Sequence, residues 1–257
     1  MIQVLIPYIR QESQGNELEL AITGWIRHFK ETFRITVIGD HHPCVEKFGH
    51  MIHFLGQLRT FQYQCPGQYV AHIDIERKVR AFLTENPDTD LFVLTSDDTY
   101  PIRDFTLEDI STPSWRMTNM PVVKESSNWW VLDMSKTHMA LRDLDLPEYG
   151  YVLHQPRVYE TKPYNAIVDY FDMTENSFVM EDLYYNIVRP LGARKDLSQQ
   201  NRRWKFIIEF GLKKPDGKEL EKLVREYDPI FLNNGVDGWS EDLERYLLEK
   251  LDVQIKE

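Results

Sequence analysis

The apolar run Leu91–Leu94 gives way to Ser96, Asp97 and Asp98, with Thr99, Tyr100 and Pro101 following. Two adjacent carboxylates at the end of a buried strand repel one another and lose hydration unless a cation relieves them. A divalent ion with oxygen ligands does this, and Mn2+ or Mg2+ commonly bridges such groups to a diphosphate. The same Ser-Asp-Asp-Thr string is also good turn chemistry, in which both carboxylates face water. In open α/β sheets, ligands bind outside the carboxyl ends of the strands, where this doublet would lie.

The elements that must position the doublet are legible as a series of strands and helices. Residues 2–6, IQVLI, read as a buried strand ending at Pro7. Asn16 stands as an N-cap with Glu19 three positions on, a capping box, and Glu17 lies in the positive first turn. Leu18, Ile22, Trp25, Ile26 and Phe29 then recur at helical spacing. A second strand over residues 33–38 is stopped by Gly39 and Asp40. A short strand over 51–55, a polar aromatic loop containing Cys65, and a helix over 70–85 lead to the strand of the doublet. This alternation predicts α/β architecture: a mostly parallel sheet with right-handed connections, flanked by helices.

Downstream, SSNWWVLDM (126–134) reads as a strand, which would put Trp129 and Trp130 on opposite faces, one in the core and the other either available to a sugar or packed in the core as well. YGYVLHQPRVYE (149–160) reads as another strand and EDLYYNIV (181–188) as a helix. Two further helices are expected around 217–226 and 240–250, separated by DPIFLNNGVDGW. The expected division is a domain over residues 1–205 and a C-terminal helical extension over 206–257 packed on it.

A net charge of −11 over 257 residues argues against general affinity for nucleic-acid backbones. A bound metal or local cation can still reverse the field within one cleft. No apolar run approaches the roughly 18 residues of a membrane helix. The opening MIQVLIPYIRQ lacks the features of a signal peptide, so the expectation is a cytoplasmic protein with no membrane span. The two cysteines, Cys44 and Cys65, imply no disulfide framework. Neither dinucleotide nor P-loop glycine motifs occur, nor those of serine hydrolases or zincins.

In order and spacing, VLIPY (4–8), NELELAITGWIRHF (16–29), VIGD (37–40), ERKVRAFL (76–83) and LTSDDTY (94–100) resemble a nucleotide-sugar transferase of the GT-A fold. A narrower similarity extends to the Stealth family of capsular sugar-phosphate transferases. It rests on the N-E-L helix start, on the doublet with Ser96 where that family has Asn, on H-Q-P at 154–156, and on FLNNGVDGW near the end.

By the GT-A resemblance, Asp98 binds the metal and Asp97 contacts metal or ribose. Asp40 accepts a hydrogen bond from uracil or ribose, or is simply a turn residue. Tyr8 and Arg10 frame the base and a phosphate, though a loop arginine can equally be solvated. Arg77 and Lys78 are cations for a phosphate, or a surface helix pair. By the H-x-P similarity to the Stealth family, His154 is the base for an acceptor hydroxyl or a further metal ligand, or it is simply a structural histidine. Glu181 and Asp182 resemble the late acidic pair that many inverting sugar transferases use as base, while two acids at a helix start also favour the macrodipole. The resemblance implies a metal-dependent transferase, with Mn2+ or Mg2+ as cofactor, acting on a nucleotide-sugar donor and a glycan acceptor. Transfer of sugar-1-phosphate and a catalytically idle binding domain are the alternatives.

Overall fold

The structure is a computed structural model that describes residues 1–57, 70–118, 123, 126, 128–151, 153–188, 193–211, 214–235 and 237–253. Cys65 and its aromatic loop lie outside the described residues. In chain order the first strands and helices are β1 (Ile2–Tyr8), α1 (Glu17–His28), β2 (Phe33–Gly39), α2 (Cys44–Lys47), β3 (Ile52–Gly56), α3 (Val70–Glu85), β4 (Leu91–Leu94) and β5 (Thr99–Pro101). The middle holds α4 (Leu107–Ser111), β6 (Ser114–Trp115), β7 (Met117–Thr118), α5 (Trp129–Asp143), β8 (Tyr149–Gly150), β9 (Arg157–Glu160), α6 (Thr161–Phe171) and α7 (Met180–Ile187). The chain continues through β10 (Lys195–Asp196), α8 (Gln200–Trp204), β11 (Ile207–Glu209), α9 (Gly217–Tyr227), β12 (Phe231–Asn233) and α10 (Glu241–Lys250).

The central sheet has the order β3-β2-β1-β4-β9, with the first four strands parallel and β9 antiparallel to β4. A mixed α/β fold with a mostly parallel, helix-flanked sheet is therefore what the alternation predicted. Successive side chains of β1 enter opposite layers, as the pleat requires. Val4, Ile6 and Tyr8 pack with Trp25 and Phe29 of α1, while Leu5 packs with Phe82 of α3 and Tyr164 of α6. Pro7 lies inside β1 and is tolerated there. It shares its ladder side with Leu5, whose carbonyl accepts from Thr95, and the pairing with β4 ends at Leu5.

A second sheet, β11-β12-β5, sits beside the doublet. β5 pairs antiparallel with β12, through Thr99 with Asn233 and Tyr100 with Leu232. The C-terminal segment thus contributes strands as well as the expected helices. Ile208, Leu220, Leu232, Leu243 and Leu247 close a core against Leu20 and Ala21 of α1. Among the described residues no helix is long and apolar enough to cross a membrane.

Three local expectations are corrected. SSNWWVLDM is not a strand but the start of α5, capped by Asn128, whose side chain accepts from the Trp130 amide at 3.0 Å. Trp129 is exposed on this helix, and Trp130 packs beside Met134 and Val179. YGYVLHQPRVYE breaks into β8 and β9, with His154 in the bend between them. Asn16 makes no capping bond with its side chain, which donates instead to Glu244 Oε1 of α10 at 2.7 Å.

Candidate functional site

Three parallel strands deliver their carboxyl ends to one place. β1 ends at Tyr8, β2 at Gly39 and Asp40, and β4 runs into Ser96, Asp97 and Asp98. Gly39 has φ +133°, and a Cβ there would lie 2.1 Å from the Tyr8 carbonyl oxygen, so only glycine permits this approach. The Asp40 amide donates to the same Tyr8 carbonyl at 3.2 Å, and Asp40 Oδ2 accepts from the Arg10 amide at 2.9 Å. Tyr8, Arg10 and Asp40 are thereby brought together at the β1–β2 end.

Lys78 is buried beneath them. Its Nζ lies 2.7 Å from Asp74 Oδ2 and donates to the Tyr8 carbonyl at 3.3 Å. Its charge is matched by Asp74, and it braces the strand end. Arg77, one residue earlier, turns elsewhere: Nε donates to the Thr174 carbonyl at 2.6 Å and Nη2 pairs with Glu175 at 2.5 Å.

The doublet is held by short polar links. Ser96 Oγ donates to Asp98 Oδ1 at 2.5 Å and lies 2.9 Å from Thr99 Oγ1. Thr99 Oγ1 in turn donates to the His154 carbonyl at 3.0 Å. The Asp98 carbonyl accepts from Asn233 Nδ2 at 3.0 Å and from the Asn234 amide at 3.3 Å. Burial, then the like charges of Asp98 and Glu17, push the Asp97 carboxyl well above the usual carboxylate range, against a hydrogen bond from Ser13.

Glu17, which sequence alone places only in the positive first turn of α1, is the third carboxylate of this group. It is 3% exposed. It accepts from the Gln14 amide at 2.6 Å, Ser13 Oγ at 3.2 Å and Asn234 Nδ2 at 2.7 Å. Burial pushes its carboxyl up to about 7, against these hydrogen bonds and with the charge of Asp98 adding to the rise. Tyr8 is raised by burial too, with Asp97 contributing. The available signal for the asparagines was their place: a polar pair directly after the apolar run of β12.

No group of three or more His, Cys, Asp or Glu among the described residues is arranged to hold a metal ion. The two adjacent carboxylates of Asp97 and Asp98 would leave most of a cation's coordination shell to phosphate oxygens and water. Burial raises Asp97 first, and the like charges of Asp98 and Glu17 that add to the rise are what such a cation would relieve.

His154 is exposed beside the doublet, its amide donating to Glu209 Oε1 at 3.1 Å. Glu181 and Asp182 belong to a different network. Glu181 Oε1 pairs with Arg157 Nη2 at 2.8 Å. Asp182 is fully buried, accepts from the Tyr151 amide at 2.6 Å and lies 3.1 Å from His138 Nε2. Burial raises its carboxyl, and it anchors the segment leading to His154. The structure brings Tyr8, Arg10, Asp40, Asp97, Asp98 and His154 to one side of the sheet. It places Arg77, Glu181 and Asp182 in other contacts.

The helix-flanked, mostly parallel sheet with polar groups gathered at its strand ends is similar to the fold of a solved glycosyltransferase. One such structure is the apo form of WbbM, a bifunctional glycosyltransferase. The match covers 98% of this chain and 50% of WbbM, with a TM-score of 0.51 and 10% identity. The chain therefore spans about half the length of that structure, and at this identity the likeness shows the fold alone. No family model matches the sequence, and no curated protein matches it.

Proposed function

We propose that the chain is a metal-dependent glycosyltransferase that moves a sugar from a nucleotide-sugar, a UDP-sugar, to a hydroxyl of a glycan acceptor. The observation that carries this reading is the gathering of Asp97 and Asp98, with Glu17 behind them, at the carboxyl ends of parallel strands. Asp97 and Asp98 would hold Mn2+ or Mg2+. The bound ion would screen the diphosphate as negative charge grows on it. Tyr8, Arg10 and Asp40 would frame the nucleoside. His154 would take the proton of the acceptor hydroxyl.

Titrating the protein with UDP, with Mn2+ and in excess EDTA, tests the reading. Binding should appear with the ion and vanish without it. Asp98→Asn should weaken it by about tenfold or more, the scale of one lost charge-assisted contact. That variant's melting temperature without metal should be unchanged or higher. Equally tight binding in EDTA removes the metal role, and no UDP binding under either condition removes the donor.

A further inference from the structure

Beside His154, one carboxylate faces two guanidinium groups. Glu209 Oε2 lies 3.8 Å from Arg116 Nη1 and 3.7 Å from Arg203 Nε, while Glu209 Oε1 accepts from the His154 amide at 3.1 Å. Charge-assisted N–H···O bonds close to about 2.7–2.9 Å, so a single carboxylate is stretched between two cations and saturates neither. Nε of each arginine is shielded from solvent with no hydrogen-bond partner among the described residues. Their side chains are 25% and 24% exposed, within reach of a ligand.

The place of this pair says which ligand. Glu209 binds the amide of His154, whose carbonyl accepts from Thr99, and Thr99 leads through Ser96 to Asp98. The arginines therefore flank the β4–β9 side, where His154 would meet the acceptor, and not the β1–β2 side that frames the nucleoside. A chain of net charge −11 repels an anionic acceptor unless local cations offset the field. A neutral glycan needs no such offset. We propose that Arg116 and Arg203 form an anion-binding subsite beside His154, and that the acceptor presents a carboxylate or phosphate group to it. The acceptor assignment rests on the transfer reading given above.

The test titrates the full chain with glucuronate and with glycerol 3-phosphate, using glucose and glycerol as neutral counterparts. UDP with Mn2+ is titrated separately. Wild type, Arg116→Gln and Arg203→Gln are compared, with Arg116→Lys and Arg203→Lys keeping the charge without the fork. The acids should bind and their neutral counterparts should not. Each Gln variant should weaken acid binding about tenfold, the effect of one charge-assisted contact, and each Lys variant less. UDP–Mn2+ affinity should stay the same throughout. Neutral sugars binding as well as the acids, or acid binding unchanged in both Gln variants, overturns the subsite. Competition between glucuronate and UDP–Mn2+ for one site overturns the acceptor assignment and gives the arginines to the donor. If acid binding behaves as expected while UDP never binds, the subsite stands and the donor reading falls. Should the Gln variants fail to fold, the Lys variants and the salt dependence of wild-type binding decide, because salt-insensitive acid binding overturns the proposal.

Discussion

The Asn233 side chain donates to the backbone carbonyl of Asp98 at 3.0 Å, across 135 residues of sequence. The same amide nitrogen also reaches Thr99 Oγ1 at 3.1 Å, so one buried asparagine holds two successive residues where the doublet turns into β5. Asn233→Ala should cost about 1–3 kcal/mol, the penalty of leaving buried partners unsatisfied. Denaturant unfolding measures the loss, and UDP–Mn2+ affinity should fall with it. An alanine variant of wild-type stability and affinity would show that the turn holds without its partner.

His154 is held by its backbone, through its amide to Glu209 and its carbonyl from Thr99. His154→Ala keeps both bonds, so melting temperature and donor affinity should survive. Turnover should fall by about 10² or more, the usual scale for a lost general base. Unchanged turnover in a stable variant discards the catalytic role.

Glu181 pairs with Arg157, which also donates to the Leu153 carbonyl at 2.6 Å. Glu181→Gln should therefore act on stability, at about 1–3 kcal/mol, the cost of leaving a half-buried charged partner unsatisfied. Turnover per folded molecule should hold. A loss of turnover at constant melting temperature would instead return Glu181 to the reacting groups.

Glu76 is buried, accepts from the Tyr164 hydroxyl, and is pushed up to about 8 by burial first, with the charge of Glu181 adding. Below its ordinary value of 4.5 the carboxyl is protonated whether the chain is folded or not, and it costs nothing. Between 4.5 and about 8 the folded chain binds more proton than the unfolded chain, so this group's contribution to stability falls as pH rises through that window. Glu76→Gln should melt with wild type near pH 4 and above it at pH 8.5, by roughly 2–4 °C for each kcal/mol in a chain of this size. Parallel melting curves across this range would contradict the shift.

Much of the first half was legible because its signals are strong. The helix over 70–85 and the strand Leu91–Leu94 lie where periodicity put them, since buried parallel strands are continuous apolar runs. Trp129 misled for a physical reason. Asp133, Thr137 and His138 are polar and buried in α5, so its inward face does not look apolar. Asp97, Asp98, Tyr8 and Asp40 were legible as strand ends. Glu17 was not, because its burial depends on Asn234, 217 residues away. No local pattern distinguishes an acid at a helix start from one sealed by a distant chain segment.

The pairing of β5 with β12 also orders events during synthesis. A ribosome adding about 5–20 residues per second exposes the parallel strands β1 to β4 well before the far end of the chain. Until Phe231–Asn233 emerges, Thr99–Pro101 is an unpaired edge and the Asp98 carbonyl lacks its asparagine donor. The nascent chain thus carries its two carboxylates early and acquires their fixed orientation late. Nucleotide-dependent protection from protease should arise only in chains extended beyond Asn234.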